Sequence, residues 1–123
     1  MSKNVERFED LIAWQKAKKL ARDIYKLATN QPFVKGFGLT IQMQRAAVSI
    51  MSNIAEGFDR SSRTEFHRFI VIAKSSCAEL RSQLHLAFDT GYANQARFDK
   101  LIHQAEEVSR ILGGLKASLA KQL

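Results

Sequence analysis

Three histidines, a file of Arg45, Ser49, Ser52 and Glu56, and a total of 19 lysines and arginines are the groups in this chain able to attack, bind or orient a ligand. Histidines serve as general bases or metal ligands when a second group stands within reach. His67 and His85 share a helix face but lie about 27 Å apart at the α-helical rise. No His-x-x-x-His, Glu-x-x-His or paired cysteine accompanies them or His103. They read as solvated or capping side chains, and no metal ligand or cofactor is assigned. In the Arg45–Glu56 file, Ser49 has no neighbouring histidine to take its proton, and Arg45 stands three turns from Glu56. A structural role is the better reading. With helices two and three antiparallel, Arg45 falls level with Glu79, while Asn53 and Glu56 fall near Glu65 and Arg68. The expectation is a polar network of Arg45, Asn53, Glu56 and Glu79, with an Arg45–Glu79 ion pair and Asn53 bonded to helix three. Ser75 and Ser76 sit in mid-helix, where backbone NH groups are already bonded and make a poor anion cradle. No glycine-rich nucleotide loop is present. No catalytic residue is assigned, and the chain reads as a non-enzyme.

The basic residues carry more. Lys18, Lys19, Arg22 and Lys26 occupy one side of the first helix, opposed there only by Asp23, with Lys16 nearby; Arg60 and Arg63 join Arg68 at a later turn. The net charge is +7 and the pI about 9.9. Such faces attract RNA or DNA through phosphates, with steep salt dependence and little sequence preference. No aromatic platform for reading bases accompanies them. The competing reading is a solvated face that serves solubility on a purely protein-binding or structural module. Both remain open at this level.

The elements that must position these groups are helical. One proline, six glycines and a 46% hydrophobic content over 123 residues fit a single folded α-domain spanning 1–123. Helices are expected over about 10–29, 39–58, 63–90 and 95–121. Ala13, Ala17, Leu20, Ile24 and Leu27 step 4, 3, 4, 3. Phe66, Ile70, Ala73, Cys77, Leu80, Leu84 and Ala87 form a heptad seam, and Phe98, Leu101, Ala105, Val108, Leu112, Leu115 and Leu119 repeat it. Asn30, Pro32, Gly36 and Gly38 break the first connection, where Phe33, Val34 and Phe37 are apolar enough to pack over a bundle end. Gly57 and Asp59–Ser62 are expected to stop helix two, Ser62 with Glu65 to cap helix three, Gly91 to end it and Asn94 to cap helix four. Gly113 and Gly114 point to a kink or a close helix contact. Short connections between four amphipathic helices imply an antiparallel up-down-up-down four-helix bundle.

Helix two is unusual. Met43, Ala46, Ala47, Val48, Ile50, Met51, Ile54 and Ala55 cover an arc of roughly 200°, about twice what one core needs. The expectation is a second, intermolecular surface built from Met43, Ala47, Ile50, Met51 and Ile54, with Ile72 and Leu86 of helix three, so that the chain's first partner is itself. The lone Cys77 reads as a small buried hydrophobe. With no signal peptide and no apolar run of membrane-spanning length, the expected location is the cytoplasm, away from any membrane.

The phrases DLIAWQKAKKLA (10–21), GLTIQMQRAAVSI (38–50) and SNIAEG (52–57), followed by Glu65-Phe66, Phe69-Ile70, Ala73, Ser76, Ala78-Glu79-Leu80 and Gly91-Tyr92, resemble in order the four-helix bundle family of 23S rRNA intervening-sequence proteins. The resemblance spans nearly the whole chain. It implies a bacterial cytosolic bundle and, through a related accessory protein of diversity-generating retroelements, a homopentamer with nucleic-acid or nucleic-acid-processing partners. Five copies at +7 each would carry +35 around one axis. It implies no activity. The sequence departs from the family pattern at Met51, where proline is frequent, at Ser75, where glycine is common, and near Val34–Gly36, where an acidic residue is frequent.

Overall fold

The computed structural model describes residues 5–29 and 37–123. A 3-10 turn over Phe8–Asp10 leads into four helices, α1 (Ile12–Thr29), α2 (Phe37–Asp59), α3 (Arg63–Asp89) and α4 (Gln95–Ala120), and no strand occurs among the described residues. The apolar packing expected for residues 30–36 lies outside them. α2 starts two residues earlier than expected, so Gly38 is inside the helix. α1 starts at Ile12 because the preceding residues take the tighter 3-10 geometry.

Helix directions follow from which side chains meet. Ser49 meets Ser76 and Phe58 meets Phe66, so α3 climbs as α2 descends. Cys77 meets Ala105 and His85 meets Phe98, reversing α4 against α3; Lys16 pairs with Glu107 and Asp23 with Lys100, reversing it against α1. α1 and α3 each pack on α2 and α4, and neither diagonal pair is in contact among the described residues. The result is an antiparallel up-down-up-down four-helix bundle.

The period-3.5 seams make the core. Every expected seam residue of α1 and α3 is buried, as are Leu101, Ala105, Val108, Leu112 and Leu119 of α4. Leu20, Ile24, Ile70, Leu80, Leu84 and Leu112 fill its volume, and Ala17, Ala47, Ala73 and Ala105 let the axes approach.

α2 corrects an expectation. Met43, Ala47, Ile50 and Ile54 are fully enclosed by their own chain, so they are core and cannot form a surface for a second copy. They share a sector of roughly 100° with Ala46 and Gly57. The rest of the wide apolar arc holds Met51 and Ala55, which are half-buried, and the exposed Val48, with the half-buried Ile41 beside it. Met51 packs against the core rim. Ile72 and Leu86 do remain exposed on α3, with Val71.

Local chemistry sets the helix ends. Ser62 Oγ accepts the Glu65 NH at 3.3 Å and Asn94 Oδ1 accepts the Arg97 NH at 2.9 Å. At the end of α3, Gly91 takes φ +79° while its NH bonds Phe88 and that of Tyr92 bonds Ala87, a Schellman closure. Ser61, at φ +58°, makes the corresponding left-handed bend between α2 and α3 without the freedom of glycine. Tyr92 and Thr40 share a hydrogen bond that ties the start of α2 to the α3–α4 turn.

Gly57 does not stop α2, which runs on to Asp59. It is buried at a tight contact between α2 and α3. A Cβ there would lie 2.5 Å from Phe69 Cβ and 3.2 Å from the Phe66 ring. Gly113 and Gly114 are not equivalent to it: a Cβ at Gly113 would meet only Lys74 Cε at 3.6 Å, and one at Gly114 nothing within 4 Å.

Candidate nucleic-acid interface

The helix-one cations all stand on the outside of α1. Lys18 Nζ lies 5.4 Å over the Trp14 ring, which Phe8 supports edge-on at 5.2 Å. Lys16 reaches across to Glu107 of α4 at 3.5 Å. No ion pair among the described residues engages Lys19, Arg22 or Lys26, all exposed. Asp23, the acid expected to offset them, is turned inward and only 7% exposed. Its Oδ2 accepts Gln104 Nε2 at 2.9 Å and faces Lys100 Nζ at 3.8 Å. The outer face of α1 therefore keeps its positive charge.

The turn after α2 behaves differently. Arg60 pairs with Glu56 at 3.0 Å and with Glu65 at 3.6 Å, and Arg68 pairs with Glu65 at 2.8 Å. Both guanidinium groups stack on Phe69, at 5.0 and 4.6 Å. The hydrogen bond from Arg68 holds the Glu65 carboxyl below the usual carboxylate range, with Arg60 and Arg68 charges assisting. A depressed carboxyl favours the folded state above its unfolded pKa, and that help fades as the pH falls through the folded value. Arg60 is thus occupied by carboxylates, whereas Arg63 makes no ion pair among the described residues and lines a hollow with Glu6, Phe58, Ser61 and Phe66.

The polar network between α2 and α3 is also rearranged. Arg45 and Glu79 line one groove but form no ion pair within 4.0 Å among the described residues, and both are exposed. Asn53 Nδ2 donates within α2, to Ser49 O at 2.8 Å and Ser49 Oγ at 3.0 Å, rather than to α3. Ser49 and Ser76 make the cross-helix bond at 2.9 Å. Two small hydroxyls thus hold the register that was expected of long charged side chains, and Glu56 serves Arg60.

Among the described residues no three of His, Cys, Asp and Glu gather as metal ligands, and no helix is long and apolar enough to cross a membrane. His85 packs edge-on against Phe98 at 5.1 Å. The cations that sequence reasoning missed are Arg97 and Lys100 on α4, which share a cleft with Asp23 and Lys26. Their only signal was an i, i+3 basic pair just after the Asn94 cap.

A family model described as 23S rRNA-intervening sequence protein matches residues 9–114. A search of curated proteins returns no match. Among solved structures, a protein of unknown function from the S23 ribosomal protein family of Bacteroides thetaiotaomicron is similar at 24% identity and a TM-score of 0.75. The match covers 85% of this chain and 98% of that one, and it speaks for the fold alone.

Proposed function

We propose a function from one premise: this chain belongs to the 23S rRNA-intervening sequence protein family. It is a non-enzymatic, self-assembling cytoplasmic bundle that acts as a scaffold or accessory, contacting RNA, DNA or a nucleic-acid-processing protein through its basic faces. The observation that carries this is the unneutralised row of Lys19, Arg22 and Lys26, left positive because Asp23 faces inward. Phosphates are the natural counter-charge for such a row. Lys18 contributes from the same helix, and Arg63, at the start of α3, lacks the carboxylate partners that occupy Arg60.

The double substitution Lys19→Glu/Arg22→Glu is expected to weaken retention of a short single-stranded RNA about tenfold or more at moderate salt. Unchanged retention would remove the nucleic-acid role. A purely protein-binding module is the second reading, favoured by the exposed Val48, Val71, Ile72 and Leu86. Its partner would dock on those side chains and ignore the same charge reversal.

Self-assembly uses what the core leaves uncovered: the Ile41, Val48 and Met51 side of α2 and, on α3, Val71 and Ile72 with Leu86 about 21 Å further along. The family resemblance suggests five copies. Light scattering should report about five times the 13.9 kDa chain mass; a species of one chain mass at micromolar concentration contradicts assembly.

A further inference from the structure

We infer that the cleft between α1 and the first turns of α4 is a phosphate-binding site, in which Lys26, Arg97 and Lys100 hold one phosphate group and Asp23 positions Lys100. This deepens the nucleic-acid reading and rests on it for the source of the phosphate, though not for the binding chemistry.

The cleft has a volume of about 160 Å³ and is lined by Asp23, Lys26, Leu27, Arg97, Lys100 and Leu101. Three cations and one carboxylate therefore line the same cleft, a local surplus of two positive charges. The carboxylate is already engaged from the α4 side, by Gln104 Nε2 at 2.9 Å and Lys100 Nζ at 3.8 Å. That long contact is the only ion pair any of the three cations makes among the described residues. Pairing with Asp23 accounts for one cation and leaves two. A phosphate supplies the missing charge and the acceptor oxygens.

The side-chain types suit that ligand. A guanidinium fork gives two parallel bonds to phosphate oxygens, and ammonium groups add point charge. Leu27 and Leu101 are buried and line the cleft beside the charges. Asp23 is buried, and its carboxylate draws Lys100 Nζ to 3.8 Å on the cleft side before a ligand arrives. Lys19, Arg22 and Lys26 fall on one side of α1 at i, i+3 and i+7, so the row on the helix leads into the cleft. One phosphate of a strand lying along α1 can seat there while its neighbours meet Arg22 and Lys19.

The test is a titration of inorganic phosphate into the isotope-labelled full chain, following NMR signals of Lys26, Arg97 and Lys100. It is repeated in Arg97→Gln/Lys100→Gln and in the charge-matched control Lys116→Gln/Lys121→Gln. The control positions are exposed and at least about 24 Å further along α4. Saturable shifts are expected in the wild type and the control and not in the cleft variant. No saturable shift in the wild type, or equal shifts in both variants, overturns the site. A short RNA that displaces phosphate from the cleft, and binds the cleft variant about tenfold more weakly than the control, identifies a nucleic-acid phosphate. Phosphate binding with no RNA competition keeps the cleft as a site for a small phosphorylated molecule and removes the nucleic-acid reading alone.

Discussion

Gly57→Ala is expected to destabilise the bundle by about 1–3 kcal/mol, although alanine is the better helix former. The added methyl would sit 2.5 Å from Phe69 Cβ, a main-chain-anchored atom that cannot swing aside. α2 and α3 would have to separate there, disturbing the Phe58–Phe66 edge contact and the Arg60 and Arg68 stack on Phe69. A melting temperature lower by roughly 4–12 °C is the expected readout. Gly114→Ala is the control, because a Cβ there meets nothing within 4 Å. It is expected to gain up to about 1 kcal/mol from helix propensity. Equal behaviour of the two variants would show that α2 and α3 are not in tight contact at Gly57.

The second large effect concerns Cys77. Its side chain is fully buried, and Sγ donates to the Ala105 carbonyl at 3.1 Å across the α3–α4 seam. Burial raises the thiol pKa above its ordinary value, with Arg81 and Lys74 only partly opposing it. The thiolate is the nucleophile, so both its population and its access are reduced in the native state. Alkylation at pH 8 is expected to be at least about 10³-fold slower in the native protein than in urea, since reagent must wait for the seam to open. Labelling at the rate of a free thiol would mean that the α3–α4 core is not closed at this level.

Much of this architecture was legible in the sequence because α1, α3 and α4 each bury one stripe with a 3.5-residue period. Ala13 to Leu27 and Phe66 to Ala87 needed no tertiary information. α2 was harder, because an apolar arc of 200° does not say which half is core. The buried half is Met43, Ala46, Ala47, Ile50 and Ile54, and the other half Val48, Met51 and Ala55. Gly57 resembled a stop signal because a glycine chosen for close helix approach and one chosen for termination look alike in a string of letters. The Arg45–Glu79 pair does not form although both line one groove: the two residues are exposed, and the cross-helix bond there is the small Ser49–Ser76 one. The Asp23, Lys26, Arg97 and Lys100 cleft joins residues more than seventy positions apart, a juxtaposition that no local pattern encodes.

The central functional claim is that uncompensated charge on α1 and at the α1–α4 cleft takes up phosphates. The salt dependence of wild-type affinity for a short single-stranded RNA tests it most directly. Each phosphate neutralised should add about 0.7 to the negative slope of log affinity against log salt, so contacts at Lys19, Arg22, Lys26 and the α4 pair predict a slope of roughly −2 to −4. A slope near zero, or no detectable binding at 50 mM salt, would contradict it.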